Sequence, residues 1–203
     1  MSTARDLWIT VMELDPGRVV SRGALSLALA GAEVIDLLDL GAILLDGDSL
    51  VPVDDPTPQD ALLRQACAAL VRHEPYESLD DWLWRRGRAL AYGYEAALES
   101  DGDLSRTHRR RLPFGGGGEL VLTDSLAHRR AQERREAGDP VLTALVAALG
   151  LAAEPAAEAS EPTDDTATVL AAVGDAELEL EGESQRRSVE EAAFDNIWRG
   201  TAF

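Results

Sequence analysis

The chain has 203 residues and a mass of 21.8 kDa, with 45% hydrophobic and 28% charged side chains, a balance that suits one globular domain and excludes a disordered chain. Its 19 basic residues against 37 acidic ones leave a formal charge of −18 and a pI near 4.4, which argues against nucleic-acid binding over the whole surface. One cysteine, Cys67, excludes an internal disulfide framework and a cysteine-built zinc site.

Ala4 to Leu14 is apolar and ends at the turn Asp15-Pro16-Gly17. Ser21 to Leu40 follows, with Leu25, Leu29, Ala32, Leu37 and Leu40 near helical spacing, Ser21 as cap and Gly41 as stop. Two short apolar runs around Asp46-Gly47-Asp48 predict a hairpin over Ala42 to Val53. Beyond Asp55-Pro56-Thr57-Pro58, a helix opening at Thr57 or Pro58 carries Ala61, Leu62, Ala66, Ala69 and Leu70 on one face, and Pro75 ends it. Ser78 caps the next helix, with Asp80 and Asp81 in its first turn, and the pattern runs to Gly102.

Leu104 to Asp124 reads as a second hairpin: an arginine-rich arm, Leu112-Pro113-Phe114, the tip Gly115 to Gly118, and a second β-prone arm at Glu119 to Leu122. A basic helix from Asp124 or Ser125 to Ala137 and an apolar one from Asp139-Pro140 to about Leu149 come next. Ala152 to Asp165 reads as a flexible acidic loop, and two closing helices are predicted near Thr166 to Val173 and Ser188 to Trp198. The result is a mainly α fold with one or two short β-hairpins, as a single domain over 1–203.

The longest uncharged apolar run, Pro140 to Ala153, has 14 residues, short of the roughly 18 that a spanning helix needs. No leader is expected, since Asp6, Glu13 and Asp15 interrupt the first apolar stretch. A cytoplasmic protein, peripheral on the inner face of the membrane, is the expectation. All 19 basic residues are arginine, which reads first as the codon bias of a GC-rich bacterial genome.

Charge is unevenly spread. From Trp82 to Arg135 there are 11 Arg against 7 acids, leaving −22 on the rest, and Glu33 to Asp60 holds eight acids and no Arg. The groups Arg85/Arg86/Arg88, Arg106/Arg109/Arg110/Arg111 and Arg129/Arg130/Arg134/Arg135 can grip phosphate or simply form solvated helix faces. A local cationic face is expected to decide contact, because screening confines exposed charges to about 8–10 Å. Trp8, Trp82, Trp84 and Trp198 read as packing residues, and Cys67 as a buried inert thiol. His73, His108 and His128 have no metal-ligand spacing, and no nucleophile–base set is suggested, so no metal, cofactor or catalysis is expected.

The ordered set Gly17-Arg18-Val19-Val20, Leu25 to Leu37, Leu40-Gly41-Ala42-Ile43, Asp55-Pro56-Thr57-Pro58 with Asp60-Ala61-Leu62-Leu63, Trp82 with its trailing arginines, the hairpin, and Asp139-Pro140 resembles the Golgi phosphoprotein 3 family in its bacterial, actinobacterial branch. The resemblance implies a helical bundle core ringed by amphipathic helices with a protruding hairpin. It implies a non-enzymatic peripheral membrane protein. From the family's eukaryotic members it implies binding of phosphatidylinositol 4-phosphate through a Trp and basic residues near the hairpin, with the hairpin serving membrane insertion or self-association. The family's Trp falls near Ser21 or Arg22 and one basic residue falls at Ala30. The paired basic residues fall at Arg88, which matches, and Ala91, which does not. Arg22, Arg85 and Arg109 stand at neighbouring positions.

The expected headgroup ligands are therefore Arg88, Arg85, Arg109, Arg110 and Arg111, with Leu112 and Phe114 entering the headgroup layer. Expected partners are anionic membrane lipid, a second copy through the hairpin, and a protein not identifiable from sequence; nucleic acid is disfavoured. The competing reading is a winged-helix-like nucleic-acid-binding module, or an interaction or oligomerising scaffold. It rests on a helix followed by a two-stranded wing at 21–53 and again at 78–122.

Overall fold

The computed structural model describes residues 2–15, 19–53, 56–107, 119–151 and 161–200, with their side chains except those of 107, 119 and 189–200. Helix α1 (Thr3–Leu14) opens on Ser2, whose hydroxyl accepts the Arg5 N–H. Helix α2 (Arg22–Asp39) starts and stops where the sequence predicts. Ser21 accepts the Ala24 N–H at 3.0 Å, and Gly41 takes φ +68° just beyond the end. Every side chain from Leu25 to Leu37 is buried, Glu33 and Asp36 included. A helix covered all round is the centre of its domain, and the other helices are arranged about α2.

The first predicted hairpin forms. Strands β1 (Ile43–Asp46) and β2 (Ser49–Pro52) pair antiparallel from Ile43↔Pro52 to Asp46↔Ser49. Gly47, in the two-residue loop, has φ +64°. Helix α3 (Ala61–Ala69) begins later than predicted. The Asp60 carboxylate accepts the Leu62 and Leu63 N–H groups, while the Arg64 guanidinium donates to the Pro58 and Gln59 carbonyls and keeps them out of the helix.

The continuous helix predicted from Ser78 to Gly102 is instead two helices, α4 (Leu79–Arg86) and α5 (Leu90–Asp101). Gly87 passes so close to α4 that a Cβ there would lie 2.5 Å from the Leu83 carbonyl oxygen. Ala89 takes a left-handed conformation at φ 57°, and the Ala91 N–H then donates to the Ser26 hydroxyl of α2 at 3.0 Å. That bond, and the burial of Leu90, Ala91, Tyr94 and Leu98, favour the break over helical continuity.

Strands β3 (Leu104–Thr107) and β4 (Glu119–Leu122) form the arms of the second hairpin, paired from Leu104↔Leu122 to Thr107↔Glu119. Its predicted tip, with Arg109, Arg110, Arg111, Leu112 and Phe114, lies outside the described residues. Helices α6 (Leu126–Glu136) and α7 (Pro140–Ala148) open on Ser125 and Asp139 as the sequence indicates. The two closing helices are one, α8 (Asp164–Gly200), of 37 residues. No proline interrupts it, and Gly174 and Gly182 cost only about 1 kcal/mol each relative to alanine. The mainly α class with short hairpins is the observed architecture. Of the acidic loop, 152–160 lies outside the described residues, and Asp164 and Asp165 fall in the first turn of α8.

Candidate functional site

Most of the described arginines from the three sequence groups are engaged by carboxylates. Arg86, in the last turn of α4, is bidentate on the fully buried Glu33 at 2.7 and 2.8 Å and also donates to the Leu62 carbonyl. Burial pushes the Glu33 carboxyl above its ordinary range despite Arg86, and the Tyr94 hydroxyl donates to it at 3.2 Å. Arg85 is bidentate on Glu77 at 2.5 and 2.7 Å, and that hydrogen bond raises its pKa further. Arg106 pairs with Glu95 and Glu99, Arg129 with Asp124, and Arg135 with Glu13 at 3.7 Å. Arg130 and Arg134 both reach Asp6 of α1 across more than 120 residues of chain. The sequence groups therefore do not converge as one cationic face among the described residues. Their charges knit α6 to α1, α4 to α2 and β3 to α5.

Arg88 is different. It is exposed, and among the described residues it has no carboxylate at ion-pair distance. The Gly87-Arg88-Ala89 link presents it beside a cavity of about 340 Å³ that Arg22, Gly23, Trp84, Tyr92 and Leu180 also line. Arg22 lies over the Tyr92 ring at 4.4 Å from its centroid and pairs with Glu95 at 2.6 Å. Glu95 is thus shared by Arg22 and Arg106, two cations on one carboxylate.

The N-terminal turns of α2 and α5 both open on this cavity through Gly23 and Ala89. Ser26 fixes their separation, donating its hydroxyl to the Arg22 carbonyl at 2.7 Å while accepting from the Ala91 N–H. Helix N-termini carry a partial positive charge. The first N–H groups of α5 are already taken, Leu90 by the Gly87 carbonyl and Ala91 by the Ser26 hydroxyl, so the helix ends add only their partial charge, and Arg22 and Arg88 are what make the hollow locally cationic on a molecule of charge −18.

The sequence-predicted ligands thus divide. Arg88 lines the hollow, Arg85 is held by Glu77 outside it, and Arg109 to Arg111 with Leu112 and Phe114 lie outside the described residues. Trp84 and Tyr92 were not legible as site residues. Trp82 and Trp84 are two apart on α4 and so face different ways; Trp82 is buried and donates to the Ala30 carbonyl, while Trp84 reaches the cavity. The spacing Trp82-x-Trp84 was the available signal, since on a helix covered on one side only such a pair puts one ring outside the core.

Among the described residues no group of three or more His, Cys, Asp or Glu side chains is placed to hold a metal ion, and no helix is long and apolar enough to cross a membrane. The model of the Golgi phosphoprotein 3 (GPP34) family matches residues 4–193. No curated protein matches the chain.

Proposed function

The chain belongs to the Golgi phosphoprotein 3 family, and from that premise we propose that it is a non-enzymatic peripheral membrane protein that binds the phosphate of anionic lipid headgroups in the Arg22–Arg88 hollow. The observation that carries the reading is the state of Arg88: exposed, without a carboxylate among the described residues, and next to two helix N-termini. A phosphate there gains charge-assisted hydrogen bonds without first displacing an acid from Arg88. Arg22, which shares Glu95 with Arg106, supplies a second guanidinium lining the same cavity. Arg85 contributes only if phosphate competes with Glu77. Arg109, Arg110 and Arg111 extend the cationic contact from the hairpin arm, and Leu112 and Phe114 enter the headgroup layer.

Co-sedimentation with vesicles tests this. Phosphatidylcholine vesicles should leave the protein in solution. Vesicles doped with phosphatidylglycerol or with phosphatidylinositol 4-phosphate should carry it down, and the difference between the two dopants reports headgroup preference. Arg88→Ala should weaken anionic binding about fivefold, the equivalent of about 1 kcal/mol for one arginine near the surface. Equal sedimentation on neutral and anionic vesicles, or an unchanged affinity for R88A, refutes the reading.

A further inference from the structure

Behind Arg22 lies a second cavity, of about 310 Å³, between the end of α1 and the start of α2, walled by Trp8, Val11, Met12, Val20 and Leu25. Its floor is core: Trp8 is 1% exposed and Val11 5%. Its rim is the Val19–Val20 segment, held by Asp15, which accepts the Val19 and Val20 N–H groups at 2.8 Å each, one on each carboxylate oxygen. Asp15, the one acid lining this cavity among the described residues, is thereby committed to the backbone. Arg22 is the residue that this apolar cavity shares with the arginine hollow.

From this juxtaposition we propose that the protein takes a single amphiphile, a phosphate monoester or diester bearing an alkyl or acyl chain, with its phosphate between Arg22 and Arg88 and its chain in the Trp8–Met12–Leu25 cavity. The inference rests on the phosphate reading of the hollow and specifies its ligand as one lipid molecule with a chain drawn out of the bilayer, not a membrane surface alone. Two features of the cavity suit a chain. Its walls are aliphatic, aromatic and thioether side chains, and Met12 is the flexible one, able to follow chains of different shape. Its volume is at the small end of ligand cavities, enough for part of one chain and not for two. Each methylene that a monomeric amphiphile moves from water into the cavity multiplies affinity by about four; a chain already in a bilayer gains little by the transfer, so binding to vesicles is governed by the headgroup.

Calorimetric titration of the full chain with dodecyl phosphate, below its micelle concentration, decides the matter beside two controls: inorganic phosphate, the head without a tail, and dodecyl maltoside, the tail without a phosphate. Dodecyl phosphate should bind one to one, at least about tenfold tighter than either control, with a negative heat-capacity change. Met12→Trp, which fills the cavity, should remove that advantage and leave inorganic phosphate binding and vesicle sedimentation as they are. Val20→Asn, polar but uncharged at the rim, should do the same and serves if M12W proves unstable by thermal melt. Dodecyl phosphate binding no tighter than phosphate, maltoside binding as tightly, or cavity variants that retain full affinity would each overturn the proposal. In those cases anionic vesicle binding that still depends on Arg88 keeps the surface reading, whereas loss of that dependence ends both.

Discussion

The α2–α8 crossing is set by the absence of one side chain, and Gly31→Ala probes it directly. A Cβ at position 31 would lie closer than 3.0 Å to the Val173 Cγ2 atom, with Leu83 and Val169 side chains already at 3.7 Å. Normal carbon contacts are about 3.5–4.0 Å, so the new methyl demands that α8 withdraw or Val173 turn. Val173 is fully buried in a helix, where a β-branched side chain has one strongly preferred rotamer, so turning is not cheap. Overpacking of this kind costs about 1–3 kcal/mol, here at the upper end, and alanine's better helix propensity returns about 1. A net loss of about 2 kcal/mol follows. Urea denaturation followed by far-ultraviolet circular dichroism measures it. Val173→Ala alone should also destabilise, by about 2 kcal/mol from two lost methyl groups. In the double variant the methyl introduced at position 31 occupies the vacated space, so the two costs should fall short of additive by at least about 1 kcal/mol. G31A as stable as the parent, or strict additivity in the double variant, would refute the close-packing argument.

Arg86→Met should destabilise by about 3–5 kcal/mol, because it leaves the buried Glu33 carboxylate uncompensated, and Glu33→Met added to it should recover most of that loss in the same denaturation assay. Burial raises Glu177 from 4.5 to about 7, and no cation lines its cavity among the described residues. The folded state therefore holds that proton more tightly than the unfolded chain. The stability so gained is complete below about pH 4.5 and is lost as pH rises through about 7, so melting temperature should fall between pH 5 and 8 and fall less in Glu177→Gln. Burial likewise raises Asp36 from 3.8 to about 6, where it accepts the Thr3 N–H, so Asp36→Asn should flatten the fall of stability from pH 3.8 upward; the two variants separate at the ends of the range, Asp36→Asn alone acting below about pH 4.5 and E177Q alone above about pH 6. Coincident profiles for parent and variants would contradict these assignments.

Local chemistry made most of the fold legible. Ser21, Ser78, Ser125 and Asp139 each cap the helix that their spacing announces, because capping is decided within three residues. The Gly47 loop is equally local. What failed was set by distance. The break at Ala89 depends on Ser26, 65 residues away, accepting the Ala91 N–H, and within Ser78 to Gly102 the isolated Gly87 is only a weak sign of it. The run of Thr166 to Trp198 as one helix depends on the burial of Val169, Val173 and Ala176 against α2 and its neighbours, which carries the weak glycine positions with it. The arginines were misjudged for the same reason. Sequence groups them by neighbourhood, but Arg86 finds Glu33, and Arg130 finds Asp6 124 residues away.

The acidic excess and the candidate site are therefore parts of one arrangement. With 37 acids for 19 arginines, an arginine on this molecule is ordinarily within reach of a carboxylate, and a guanidinium with a carboxylate to itself has less to offer a phosphate than Arg88, which has none among the described residues, or Arg22, which shares Glu95 with Arg106. Keeping one available requires that the backbone hold it away from the acids around it. The Gly87-Arg88-Ala89 link does this. In a continuous helix, Arg88 would stand one turn from Arg85 on the face that meets Glu77; the left-handed Ala89 turns the chain so that Arg88 instead meets Trp84, Tyr92 and the first turn of α2. A left-handed alanine costs roughly 1–2 kcal/mol, a cost that no burial of Arg88 offsets, since Arg88 itself remains exposed. The Ala91–Ser26 bond and the burial of Leu90, Ala91, Tyr94 and Leu98 hold that conformation, so the packing that breaks the helix is also what sets Arg88, a cation without a carboxylate among the described residues, at the hollow.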